Sequence, residues 1–191
     1  MPRTREQFSE MKDERRTAIL NAALPLFSLG QKVSVDLIAE KAKCSHGIVY
    51  HYFKNTDQIF EKLLKNPVYI ELKSHLFSVA GSSYEKIEQI LSILLDISEK
   101  RIDIICYLNM LIKERDKNSL FALFAKLVKD GQSSETIVAG EPTNLVESIF
   151  LLLKGLFLSF ILEKHPVVKV PSKETVMQLL RKPTSFSRQT L

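Results

Sequence analysis

Apolar residues in this chain recur at helical spacing and nowhere sustain the alternation of a strand. Ile19, Ala23, Leu26 and Phe27 share one helical face between about residue 13 and Gly30, whose backbone freedom suits a helix stop. Pro25 lies inside that stretch, removes one backbone hydrogen bond and is expected to kink the last turn. Ser34 is placed to cap "VDLIAEKA", with Asp36 in the first turn and Leu37, Ile38 and Ala42 as the buried face. "KCS" is too short for a flexible loop. Ser45 then caps "HGIVYHYF", and Asn55, with Gln58 as its capping-box partner, opens a helix striped by Ile59, Phe60, Leu63 and Leu64. The first 65 residues therefore predict three short helices and the start of a fourth, the second and third joined by a tight turn, as in a helix-turn-helix.

Beyond this, Asn66–Pro67 reads as a break, with Asn66 capping a fresh helix and Pro67 at its first position. Helical spacing then continues through "VYIELKSHLFSVA" and over about 84–100, 102–113, 117–130 and 143–164, interrupted by "GSS" and the polar loop "GQSSETIVAGEPT". "HPVVKVP" ends the long helix, Ser172 caps a last one to about 182, and the tail reads as frayed. The predicted class is all-α: an N-terminal helix-turn-helix three-helix domain over 1–66, then a helical domain over 67–191.

Charge is uneven. Residues 1–66 hold 11 basic and 8 acidic side chains, 67–168 hold 11 and 13, and 169–191 hold 5 and 1, within a total of +5. A basic front on a nearly neutral body fits an anionic partner for the front alone. The start, "MPRTREQFSEMKDERR", has no apolar core of a signal peptide. The most apolar run, 148–162, is interrupted by Lys154 and is shorter than a membrane span needs, so a soluble, cytoplasmic chain without membrane contact is expected.

Cys44 and Cys106 have no framework or zinc spacing, and both read as small core residues. His46 and His51 are five apart and do not share a helix face, which disfavours a metal site. The chain has no Gly-rich phosphate loop, metal-ligand cluster or nucleophile motif, so no enzyme activity, cofactor or metal is expected.

In a helix-turn-helix the second helix enters the major groove N-terminal end first, which would make "SHGIVYHY" the reading head. Ser45 and the free amides behind it suit a phosphate, and His46 and Ile48 would face base edges, Ile48 by apolar contact such as a thymine methyl. Gly47 leaves room for close approach, Tyr50 and Tyr52 offer hydroxyls to phosphates, and Lys54 adds a point charge. Val49 and Phe53 are expected to turn inward.

"LIAEKAKCSHGIVYHYFKNTDQIF" resembles the DNA-binding motif of the TetR (tetracycline repressor) family of bacterial regulators. Ile38, Ala39, Ala42, Ser45, Gly47, Tyr50, Tyr52, Phe53, Asn55 and Asp57 match it, and Ala22, Ala23, Phe27 and Gly30 resemble the family's first helix. Lys43 stands where the family usually has Gly, at a cost of about 1 kcal/mol in a left-handed turn, and adds a charge. Cys44 replaces a usual Val, and Thr56 a phosphate-binding Lys. The DNA-contacting set so expected is Ser34, Lys43, Ser45, His46, Gly47, Ile48, Tyr50, Tyr52 and Lys54.

The resemblance further implies a homodimeric repressor on a palindromic operator that releases DNA when a small molecule binds. A helix apolar on every side must be buried on every side, and this places Ile149, Phe150, Leu153, Phe157, Phe160 and Ile161 at a dimer interface, completed by the last helix. Gly155 would permit close helix approach. Past Pro67, an effector pocket is expected from Tyr69, Leu72, Leu76, Leu91, Leu94, Tyr107, Asn109 and Leu111, suited to a largely apolar ligand with a polar handle from Tyr107 or Asn109. Two alternatives stand beside this: a redox-responsive regulator acting through Cys44 or Cys106, and an all-helical protein-interaction module without DNA binding.

Overall fold

The computed structural model describes residues 5–97, 101–163 and 169–182. Most of "HPVVKVP", the frayed tail from residue 183 and the end of the predicted 84–100 helix lie outside them. Every regular element among the described residues is helical. The chain divides into two compact units, Met1–Ser74 with Arg101–Met110, and His75–Lys100 with Leu111–Leu191.

The first unit is built on α1 (Arg5–Leu29), α2 (Val35–Lys41), α3 (His46–Tyr52) and α4 (Thr56–Leu64). Helix α1 starts eight residues before the expected 13, because its first turns are mostly charged or polar, with only Phe8 and Met11 to mark a period. It runs through Pro25 to Leu29 and closes on Gly30 at φ 71°. Gly30 N–H reaches the Phe27 carbonyl at 3.0 Å and Gln31 N–H the Leu26 carbonyl at 3.3 Å, a Schellman closure. Helix α2 ends the same way on Lys43, at φ 50°, with Lys43 N–H to Glu40 and Cys44 N–H to Ala39. The left-handed conformation expected at Lys43 is thus present. Ile19, Ala23, Leu26, Ile38, Val49, Phe53, Ile59 and Leu63 are buried as one core. Each such large apolar side chain stabilises the unit by about 1.5–3 kcal/mol. Val35 and Ala39 join them, whereas Leu37 and Ala42 are only half-buried.

Helix α4 breaks before α5 (Pro67–Phe77), which resolves the expected discontinuity as a break. Pro67 cannot donate to the Leu63 carbonyl, and Asn66 N–H takes that acceptor at 3.1 Å. Asn66 then caps α5, its Oδ1 accepting Val68 N–H at 2.9 Å. Helix α7 (Ile102–Lys113) adds Cys106 and Asn109 to the first unit. Asn109 Nδ2 donates to the Ser28 carbonyl at 3.0 Å and lies 3.3 Å from Ser28 Oγ. The Tyr69 and Tyr107 rings meet at a tilt of 56°, 5.8 Å between centroids.

The second unit packs α6 (Ser83–Leu95), α8 (Leu120–Ser133), α9 (Pro142–Leu162) and α10 (Lys173–Met177), which continues as a 3-10 turn over Gln178–Leu180. Ser82 and Glu85 close a full capping box at the start of α6. Helix α8 lies between α6 and α9, and Phe150 meets Phe121 and Phe124 edge-on at 5.6 and 5.3 Å. Helix α9 corrects one expectation. It begins at Pro142, and its 21 residues are long and apolar enough, by length and composition, to cross a membrane. A third of its most apolar window is buried in the second unit.

Candidate nucleic-acid interface

The helix-turn-helix is set by three local caps. Ser34 Oγ accepts Leu37 N–H at 3.2 Å, Ser45 Oγ accepts Ile48 N–H at 3.3 Å, and Asn55 Oδ1 accepts Gln58 N–H at 2.9 Å. Gln58 answers at Lys54 N–H (2.7 Å), one residue before the position a standard capping box uses. A hydroxyl that accepts from an amide keeps its own proton to donate, so Ser34 and Ser45 can each cap a helix and bind a phosphate oxygen.

Helix α3 is pinned by Val49 and by Phe53 just past its end, both buried as expected, with the Arg16 guanidinium 5.5 Å from the Phe53 ring centroid. The rest of the helix, apart from Tyr52, is exposed. Ser34, Lys43, Ser45, His46, Gly47, Ile48 and Lys54 are exposed, Tyr50 is 52% exposed, and Tyr52 is half-buried. The His46 ring meets Tyr50 at a tilt of 54°, 4.8 Å between centroids, and its Nε2 lies 3.5 Å from Asp36 Oδ1. That contact orients the ring at the tip of α3.

Gly47 is informative because nothing inside the protein requires it. Its φ lies outside the left-handed region, and an added Cβ would meet no atom within 4 Å. A helical glycine costs up to about 1 kcal/mol against alanine, and no packing contact among the described residues offsets that cost at Gly47.

A groove of about 820 Å³ runs beside α3. Ser45, Gly47, Ile48, His51 and Tyr52 form one wall, and Met11, Lys12, Glu14, Arg15 and Ala18 of α1 form the other. The α1 wall escaped the sequence reading, which began that helix at 13. The signal was present as charge spacing, Glu10, Asp13 and Glu14 against Lys12, Arg15 and Arg16.

The other expected residues fall as follows. Tyr69, Leu72, Tyr107 and Asn109 belong to the first unit, and Leu76, Leu91, Leu94 and Leu111 to the second. Asn109 Oδ1 is buried and finds no hydrogen-bond partner among the described residues. Burial pushes the Tyr107 hydroxyl up to about 12. Ile149, Phe150, Leu153 and Phe157 are buried inside the second unit, while Phe160 and Ile161 are half-buried. The apolar residues that α9 exposes are Leu151, Leu152, Leu158 and Leu162. Cys106 is buried, which pushes its thiol up to about 11 and leaves little thiolate at neutral pH. Cys44 is half-buried rather than fully in the core. No group of three metal-ligating side chains occurs among the described residues.

Residues 19–63 match the family model described as bacterial regulatory proteins, tetR family. No curated protein matches the chain by sequence. Among solved structures, the MbdR regulator from Azoarcus sp. CIB superposes with a TM-score of 0.58 at 16% identity, over 87% of this chain and 97% of its own. A Clostridium perfringens putative fatty acid metabolism regulator gives 0.55 at 19% identity, over 85% and 96%. The SmeT–triclosan complex gives 0.53 at 14% identity, over 93% and 96%. At these identities the structures share the fold. The family model matches residues 19–63, the helix-turn-helix with the part of α1 and the α4 that support it, and the likeness to the solved structures is one of fold.

Proposed function

We propose that this chain is a cytoplasmic, homodimeric, ligand-responsive repressor that reads a palindromic operator through α3. Residues 1–66 serve as the DNA-binding domain and 67–191 as the regulatory and dimerisation domain. The observation that carries the reading is Gly47, a glycine with empty space above it among exposed His46, Ile48 and Tyr50. Ser34, Lys43, Ser45, Tyr50, Tyr52 and Lys54 bind phosphates, and His46 and Ile48 meet base edges.

Two reading heads must lie about 34–36 Å apart along a duplex, which calls for two copies. Leu151, Gly155, Leu158 and Leu162 fall at i, i+4, i+7 and i+11 on α9 and are all exposed, Leu151 at 58% and Leu162 at 66%. This stripe is the face we assign to the symmetry mate, while Ile149, Phe150, Leu153 and Phe157 hold the same helix in its own core. An added Cβ at Gly155 would also meet nothing within 4 Å, which again points to a neighbour outside the chain.

The effector is a small, largely apolar molecule, and in the first unit Tyr69, Leu72, Tyr107 and Asn109 are the residues assigned to it. The SmeT structure, a complex with triclosan, is one relative by fold that holds such a compound. The unpartnered Asn109 Oδ1 would accept a donor from the ligand. A gel shift with genomic DNA at low and moderate salt tests the reading. Bands that persist at moderate salt and shift to free DNA with an apolar effector support it, and binding lost uniformly with salt counts against it.

A further inference from the structure

The N-terminal half of α1 has a charge pattern that its own stability does not explain. At about 100° of turn per residue, Lys12, Arg15 and Arg16 share one face, and Glu10, Asp13 and Glu14 share the opposite one. Each trio is spaced i, i+3, i+4, so like charges are helical neighbours. The Lys12–Arg15, Lys12–Arg16, Glu10–Asp13 and Glu10–Glu14 pairs all repel, and only Asp13–Arg16 attracts. A helix that only had to be soluble would interleave the signs. All of these side chains are exposed except Arg16, which is half-buried. Arg16 turns its guanidinium toward the Phe53 ring at the end of α3. Lys12 and Arg15 line the groove of about 820 Å³ whose far wall is the outward face of α3. The basic face therefore looks toward the reading head.

We propose that the N-terminal half of α1 is a second DNA-contacting element, in which Lys12 and Arg15 bind phosphates of the duplex strand that passes along this groove. The inference rests on α3 being the reading head. It adds a contact that reports backbone and not base identity, because Lys12 and Arg15 stand on α1 and not on the helix that enters the major groove. Glu14, at the edge of the acidic face, also lines this groove, so Lys12 and Arg15 leave the α1 wall a net charge of +1.

The test uses the full chain, a duplex that the chain itself selects from a random pool, and a 30-base-pair duplex of unrelated sequence, with fluorescence anisotropy at several salt concentrations. The variants are Lys12→Gln/Arg15→Gln, the opposite-face control Glu10→Gln/Asp13→Gln, and the charge-conserving Arg15→Lys. The basic-face variant is expected to lose about tenfold or more in affinity, and its log–log salt slope to fall by about 2 per subunit with the preferred sequence unchanged. Arg15→Lys keeps the slope, and the acidic-face control binds equally or more tightly. An unchanged slope in Lys12→Gln/Arg15→Gln, while His46→Ala still relaxes base preference, overturns the inference and leaves the α3 reading standing. If the wild-type chain shows no preference between the two duplexes, the α3 reading falls and takes this inference with it.

Discussion

A Cβ placed on Gly131 would lie 2.5 Å from Cδ1 of Ile137. That glycine is required by its own chain, since the loop after α8 folds back against it. Gly47 and Gly155 are the opposite case, helical glycines with empty space where a Cβ would stand. The contrast separates a glycine that its own chain requires from two that no contact within the chain requires, and the proposed function assigns those two to DNA and to a second copy.

Gly47→Ala is expected to stabilise the protein and weaken it as a regulator. The alanine gains about 0.5–1 kcal/mol of helix stability, a rise in Tm of about 1–4 °C. Operator affinity should drop about tenfold, because the methyl group enters the space reserved for DNA. Thermal melts and anisotropy on one preparation check both. A rise in stability with undiminished binding would remove Gly47 from the interface.

Gly155 makes the same trade in self-association. Gly155→Ala should raise helix stability by about 1 kcal/mol while weakening the dimer. Leu158→Lys should give monomers at micromolar concentration in sedimentation velocity, because it puts a charge in the exposed stripe of α9. A Leu158→Lys variant that remains dimeric would mean that another face makes the contact.

Lys43 holds φ 50°, a conformation that costs a side-chain-bearing residue about 1–2 kcal/mol. Lys43→Gly should relieve most of that, offset by about 0.5–1 kcal/mol of glycine entropy, for a net gain of a few tenths to about 1 kcal/mol. Lys43→Ala keeps the strain and gains nothing. If Lys43 also touches phosphate, both variants lose about 1 from the salt slope per subunit. Parallel melts and salt titrations separate its conformational role from its charge.

Pro67 interrupts what would be one helix from Thr56 to Phe77. Pro67→Ala restores a donor near the Leu63 carbonyl, and far-UV dichroism should show added helix. If the break is the hinge of the switch, this variant needs a different effector concentration to release DNA, with global stability changed by less than about 1 kcal/mol. An unchanged release curve would make the break static.

The caps were legible in the sequence because capping is local chemistry. Ser34, Ser45, Asn55 and Ser172 each accept the amide three residues on, as their spacing implied. The break at Asn66–Pro67 was legible for the same reason. The orientation of α9 was not. A helix apolar on every side has no phase, so nothing in its pattern says that Ile149 and Phe157 face inward while Leu151 and Leu158 face outward. That choice is made by Phe121 and Phe124 on α8, which receive Phe150. The first turns of α1 failed for the complementary reason, being helical with only Phe8 and Met11 among charged and polar residues to mark the period.

Selection from a random duplex pool at about 150 mM salt, with the full chain and no effector, tests the central claim most directly. The account predicts an enriched palindrome whose half-site centres lie about one helical turn or a multiple of it apart, and Gly47→Ala should fail to enrich it. A pool that stays random while the protein remains folded and dimeric would contradict the claim that α3 reads DNA.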